Sequence, residues 1–271
     1  MKFKTGCQLR YQVEQPSTLI FGIQVEKSSQ QHISQETLST DPAIETESQI
    51  VNGNRLLRLQ AQPGTLNLRY EAIVERNFVP VNPDEAIETL AADLPLDVLP
   101  YLFPSRYCQS DRLMRLATAQ FGDLKPGYDR VRAIADWIFE NVTYLSGSTD
   151  SQTSAFDTVT ERTGVCRDFA HLGIAFCRAL TIPARFVAGY AYQLQPPDFH
   201  ACFEAYLGNQ WYWFDPTRLA RAEHFVRIGT GRDAADVSFA NLFGVLRMEE
   251  MHVFSELLSE EESGAIETSA A

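Results

Sequence analysis

Cys166, His200 and Asp215 are the residues of this 271-residue chain whose types and settings could do chemistry together. A thiol is a weak nucleophile until it loses its proton. A helix N-terminus and an adjacent imidazolium both favour that loss. Cys166 lies just after Gly164, where an apolar segment from Val165 to Leu180 is predicted to begin a helix. The free N–H groups of a first helical turn point the same way, so the N–H of Cys166 could help bind a developing oxyanion. A glycine there also lets a substrate backbone approach closely. His200 opens one predicted strand and Asp215 ends the next, with Gly208-Asn209 as the turn between them. Antiparallel pairing about that turn sets position 202 opposite 215, and 200 falls two positions along on the same face. Asp215 could then accept from one imidazole nitrogen and leave the other for the thiol, the orienting role of a third triad member. Pro216 fixes where the carboxylate emerges.

The elements that must hold these residues change character along the chain. Residues 1 to about 105 read mainly as strands. Leu9 to Val13, Leu57 to Ala61 and Leu66 to Tyr70 alternate apolar and polar side chains, the mark of one buried and one wet face. Val51-Asn52-Gly53-Asn54 supplies a hairpin turn. Together they suggest a small β-sandwich or meander, with no constellation of His, Cys or carboxylates in it. Pro80, Pro83, Pro95, Pro100 and Pro104 mark a linker, with a short helix expected near Asp84 to Ala92. Helical spacing follows. Ser110-Asp111 is read as the cap of one helix, and Val131, Ile134, Ile138 and Val142 share a face of a second. A third runs from Ala155 to Arg162, with Gly164 as its left-handed stop. After the Cys166 helix come strands at Arg185 to Gln193, Ala201 to Leu207 and Trp211 to Phe214. The expected division is a β-rich N-terminal domain at 1–105, a catalytic domain at 106–258 and an acidic, disordered tail at 259–271.

The formal charge of −12, from 35 acidic and 23 basic residues, disfavours nucleic acid and anionic lipid as partners. No apolar stretch approaches the ~20 residues of a membrane helix. Polar residues interrupt the start of the chain, so a secretory signal is not expected. Five cysteines at irregular spacing do not resemble a disulfide framework, and a reducing, cytoplasmic setting is the simpler expectation.

Four ordered motifs carry a family resemblance. Thr163 to Leu172 (TGVCRDFAHL) resembles the cysteine motif of bacterial transglutaminase-like proteins. Ile182 to Tyr190 (IPARFVAGY) resembles the strand that follows it, His200 to Tyr206 (HACFEAY) the histidine motif, and Trp213 to Thr217 (WFDPT) the aspartate motif. Gly231 to Val237 (GRDAADV) is similar to a further stretch of the bacterial branch, and the β-rich first half to its N-terminal region. Cys202, two residues past His200, departs from the pattern. The resemblance implies an α+β, papain-like transglutaminase core without a cofactor, in which Cys166 is the nucleophile, His200 the base and then acid, and Asp215 the orienter. The implied substrate is a peptide or protein amide. Tyr144 becomes a candidate second oxyanion donor, because related enzymes use an upstream ring or amide. Hydrolysis is preferred to amine transfer, since no calcium loop of the D-x-[DN]-x-[DN]-G kind is visible.

Competing readings attach to several residues. Cys7, Cys108 and Cys177 read as structural. His171 reads as packing, with a supporting role in the site as the sharper option. Asp168 reads as helix stabilisation or loop anchoring, since a carboxylate aimed at Cys166 would oppose thiolate formation. Cys166, His171, His200 and Cys202 could in principle ligate zinc, but without a close C-x-x-C pair no metal site is expected. An amine-acceptor transglutaminase and a non-catalytic peptide-binding scaffold on the same fold are the alternatives to a cysteine peptidase or amidase.

Overall fold

The computed structural model describes residues 1–80 and 82–259. The acidic tail expected at the C-terminus lies, from residue 260 onward, outside the described residues.

The first half forms six strands: β1 (Lys2–Val13), β2 (Ser17–Phe21), β3 (Gln31–Asp41), β4 (Thr46–Val51), β5 (Asn54–Ala61) and β6 (Gly64–Arg76). The alternating segments become strands with the expected faces. Leu57, Leu59 and Ala61 point inward while Arg58 and Gln60 face water. The β4–β5 turn places Asn52 and Gly53 at φ of 51° and 83°, the positive angles a tight hairpin needs. Among the described residues of 77–109 there is no strand. They carry three single 3-10 turns (Pro83–Glu85, Ala91–Asp93 and Leu99–Leu102) where one short helix was expected. This linker is strapped to the second half. Ala86 and Ile87 carbonyls accept from the Tyr128 and Gly208 N–H groups, and Glu88 accepts from Gly127 N–H and pairs with Arg130.

The second half contains α1 (Ser110–Phe121), α2 (Tyr128–Asn141), β7 (Thr143–Tyr144), α3 (Ala155–Glu161), β8 (Thr163–Gly164), α4 (Cys166–Ala179), β9 (Ala184–Ala191), β10 (Phe199–Leu207), β11 (Gln210–Phe214) and β12 (Phe225–Gly231). Ser110 is the first helical residue of α1 rather than its cap; the cap position is Gln109, whose side chain makes no capping bond. Helix α3 ends two residues earlier than Gly164, on Arg162 in the left-handed region at φ 58°. Gly164 instead lies in β8, which runs parallel to β7. Helix α4 is buried at every position from Asp168 to Arg178, as an all-round apolar helix must be. It packs on β10 so closely that a Cβ on Gly173 would stand 2.5 Å from the Phe203 ring.

The last two strands correct the expected division. β13 (Ala240–Phe243) pairs with β2, and β14 (Leu246–Leu257) pairs with β1 along nearly its whole length. The N-terminal half therefore consists of two four-stranded sheets, β14-β1-β6-β3 and β13-β2-β5-β4, that share one core. Residues 240–257, read from sequence as part of the catalytic unit, complete those sheets. The third sheet, β11-β10-β9-β12, belongs to the second half. Tyr190, Val226 and Ile228 from its strands enter the N-terminal core. A buried charge cluster joins the halves further. Glu204 on β10 pairs with Arg185 and Arg227, Arg227 reaches Glu26, and the Gln31 amide bonds the carbonyls of both Glu26 and Arg227.

Candidate active site

The hairpin that carries the histidine and the aspartate has the register its turn demands. Phe203 pairs with Phe214 and Leu207 with Gln210, which by continuation sets Cys202 against Asp215. Alternation then gives His200, Cys202 and Glu204 one face of β10, while Phe203 and Ala205 pack in the core with α4. His200 Nε2 lies 2.9 Å from Asp215 Oδ2. The carboxylate is held from three other directions. Its Oδ1 accepts from Thr217 N–H at 2.9 Å and Thr217 Oγ1 at 2.7 Å, and its Oδ2 accepts from Ala220 N–H at 2.9 Å. Burial alone would raise the Asp215 pKa, but the His200 bond and charge, with the Thr217 and Ala220 bonds, hold it below the usual carboxylate range.

The other ring nitrogen, His200 Nδ1, is buried and makes no hydrogen bond of ordinary geometry. Burial would push the imidazole toward its neutral form. The hydrogen bond to Asp215, the Asp215 charge and the neighbouring Cys166 thiol outweigh this and lift its pKa to about 10. The Cys166 Sγ lies 3.9 Å from the Phe199 carbonyl oxygen, one residue before His200. Cys166 is half-buried, whereas Cys7, Cys108, Cys177 and Cys202 are buried.

Asp168 explains how the cysteine turn is built. It is fully buried, and its Oδ2 accepts from Val165 N–H at 2.9 Å and Thr149 Oγ1 at 2.8 Å. Its Oδ1 accepts from Arg167. Gly164 makes room for this, since a Cβ there would sit 2.9 Å from Asp168 Cβ. The carboxylate thus closes the start of α4 and anchors the loop carrying Thr149. Tyr144, on β7, reaches the same turn. Burial, and after it the Cys166 charge, push its phenol up to about 12.

His171 stands apart from these groups. Its Nε2 accepts from Ala234 N–H at 3.1 Å, and its ring stacks on Tyr107. Burial holds it neutral. It packs the Gly231–Val237 stretch against α4, where Asp233 also accepts from Tyr107 N–H. Among the described residues, no three His, Cys, Asp or Glu side chains gather as a metal site would need. Two contributors had no assigned role from sequence. Thr217 was legible as the end of its motif, but its grip on Asp215 was not. Thr149 gave no signal, because its partner lies across a loop.

A cysteine at the start of a buried helix and a histidine–aspartate pair on an antiparallel hairpin are carried here by an α+β fold. The chain is a member of the transglutaminase-like superfamily, whose core matches residues 115–216. Residues 1–94 match the bacterial transglutaminase N-terminal domain. A protein of Cytophaga hutchinsonii, described as a "putative cysteine protease", is 51% identical in its crystal structure. The match covers 96% of this chain and 91% of that one, with a TM-score of 0.93. An uncharacterized protein of Mycobacterium leprae is 33% identical over 117 residues, 40% of this chain and 42% of that protein. One of Mycobacterium tuberculosis is 32% identical over 143 residues, 47% of this chain and 46% of that protein. The chain spans less than half the length of these two curated relatives. Among the described residues no helix is long and apolar enough to cross a membrane.

Proposed function

We propose that the protein is a cysteine peptidase or amidase in which Cys166, His200 and Asp215 act as a triad. What supports this reading is the buried His200–Asp215 pair, with Nε2 2.9 Å from Oδ2, and the Cys166 sulfur 3.9 Å from the carbonyl oxygen of the residue before His200. Asp215, fixed by Thr217 and Ala220, holds the ring so that Nδ1 serves the thiol. His200 takes the thiol proton and the resulting imidazolium keeps the thiolate ready. Attack on an amide carbonyl forms a tetrahedral oxyanion, and His200 returns its proton to the departing amine. Water then attacks the thioester, with His200 as base, and releases the acid.

The oxyanion is received by the Cys166 N–H at the start of α4. Tyr144, paired with Gly164 on the strand beside the cysteine turn, is the candidate second donor. The substrate is a peptide or protein amide. Cytoplasmic residence is supported by five free thiols. The test is incubation with a mixed peptide pool, with and without a primary amine, and mass analysis of products. Cleaved or deamidated peptides that need Cys166 support the reading. Amine adducts in place of hydrolysis would assign transamidation, and no Cys166-dependent product would leave a binding scaffold.

A further inference from the structure

We infer that Asp198 is a specificity-determining carboxylate, selecting substrates that carry an ammonium or guanidinium group on the leaving side of the scissile amide. The inference rests on the reading of Cys166 as nucleophile and His200 as general acid. Asp198 immediately precedes Phe199, whose carbonyl oxygen is the atom 3.9 Å from the Cys166 sulfur. It lies two residues before His200, and its charge acts on both the His200 ring and the Tyr144 phenol. Packing around the carboxyl raises its pKa, yet the residue as a whole is exposed, so a ligand can reach it.

The other carboxylates around the thiol are spent. Asp168 is filled by Val165, Thr149 and Arg167, and Asp215 by His200, Thr217 and Ala220. Asp150 turns its carboxylate to its own loop, bonding the N–H groups of Gln152 and Thr153. Asp198 accepts one hydrogen bond, from Phe199 N–H at 2.7 Å, and pairs with no lysine or arginine among the described residues. Arg167, the cation beside Cys166 in sequence, is committed to Asp168 and the Asp150 carbonyl. One unpaired negative charge is therefore left at the mouth of the site.

The chemistry fixes its side. His200 must deliver its proton to the departing nitrogen, so groups flanking His200 line the leaving-group side of the cleft. A positive charge there meets Asp198, and a negative one is repelled.

The test uses three symmetrical disulfides that differ only in charge, bis(2-ammonioethyl), bis(2-hydroxyethyl) and bis(2-sulfonatoethyl) disulfide, so that the thiol departing from Cys166 carries the charge. The full chain is labelled at low salt and Cys166 modification is followed by mass spectrometry. Asp198→Asn keeps an oxygen for Phe199 N–H and removes the charge. The ratio of ammonioethyl to sulfonatoethyl rates, each referred to the neutral reagent, should fall about five- to tenfold in this variant and invert in Asp198→Lys. High salt should shrink the wild-type ratio toward that of Asp198→Asn. An unchanged ratio in Asp198→Asn overturns the inference. The absolute rate with the neutral reagent reports thiol activation separately, so failure of the triad and failure of Asp198 are distinguishable.

Discussion

Replacing Asp168 by alanine should cost the protein roughly 3–4 kcal/mol and loosen the turn that presents the thiol. The carboxylate is wholly buried and accepts from Val165 N–H, Thr149 Oγ1 and the Arg167 guanidinium. A lost bond to a charged group is worth about 1.5–3 kcal/mol when its partner stays buried, and less when water can replace it. Arg167 is partly exposed and can be rehydrated, so its share is the smaller one. Val165 N–H and the Thr149 hydroxyl make up most of the total. Asp168→Asn keeps one oxygen for those two donors but turns an amide toward Arg167, so its cost should be about 1–2 kcal/mol. Urea unfolding of the three proteins measures the order wild type, Asn, Ala. Iodoacetamide labelling of Cys166 under native conditions should slow in the same order. If Asp168 were instead suppressing the thiolate by its charge, Asp168→Asn would label faster than wild type. That result, or an alanine variant as stable as wild type, would refute the anchoring role.

Two further perturbations probe the surroundings of the site. Gly173→Ala pushes a methyl to within 2.5 Å of the Phe203 ring and should destabilise by about 1–3 kcal/mol, read as a lowered Tm, with Phe203→Leu partly restoring it. The pH dependence of stability carries the signature of His200, whose pKa is raised to about 10 in the folded chain. A raised folded pKa stabilises fully below the unfolded value of ~6.5, so that contribution should be lost as pH climbs from there to about 10. Urea titrations across that window should show a declining slope in wild type that is absent in His200→Ala; equal slopes would remove the ion pair from the account.

What could be read from the sequence was local. The His200–Asp215 hairpin was legible because a Gly-Asn turn and period-2 strands fix register over fifteen residues. The Cys166 helix was legible because its apolar run and preceding glycine mark a start. The return of β13 and β14 was not, because long-range pairing leaves no spacing pattern in a single chain. The stop of α3 was misplaced to Gly164 because glycine is the usual left-handed cap, whereas Arg162 takes that conformation and Gly164 makes space for Asp168. The Glu204 charge cluster was also hidden, since its members come from three strands and a loop.

The most direct test of the account is the rate of Cys166 alkylation by iodoacetamide from pH 5 to 9, mapped residue by residue in wild type and His200→Ala. Cys177, buried in mid-helix, serves as the unreactive control. A thiolate held by an imidazolium keeps reacting far below the pH at which an ordinary thiol, with a pKa of ~8.5, falls silent. The account predicts fast wild-type labelling down to about pH 5 and slow labelling at pH 6 once His200 is removed. A wild-type profile that rises only near pH ~8.5, and is unmoved by His200→Ala, would show that the three residues do not work as a triad.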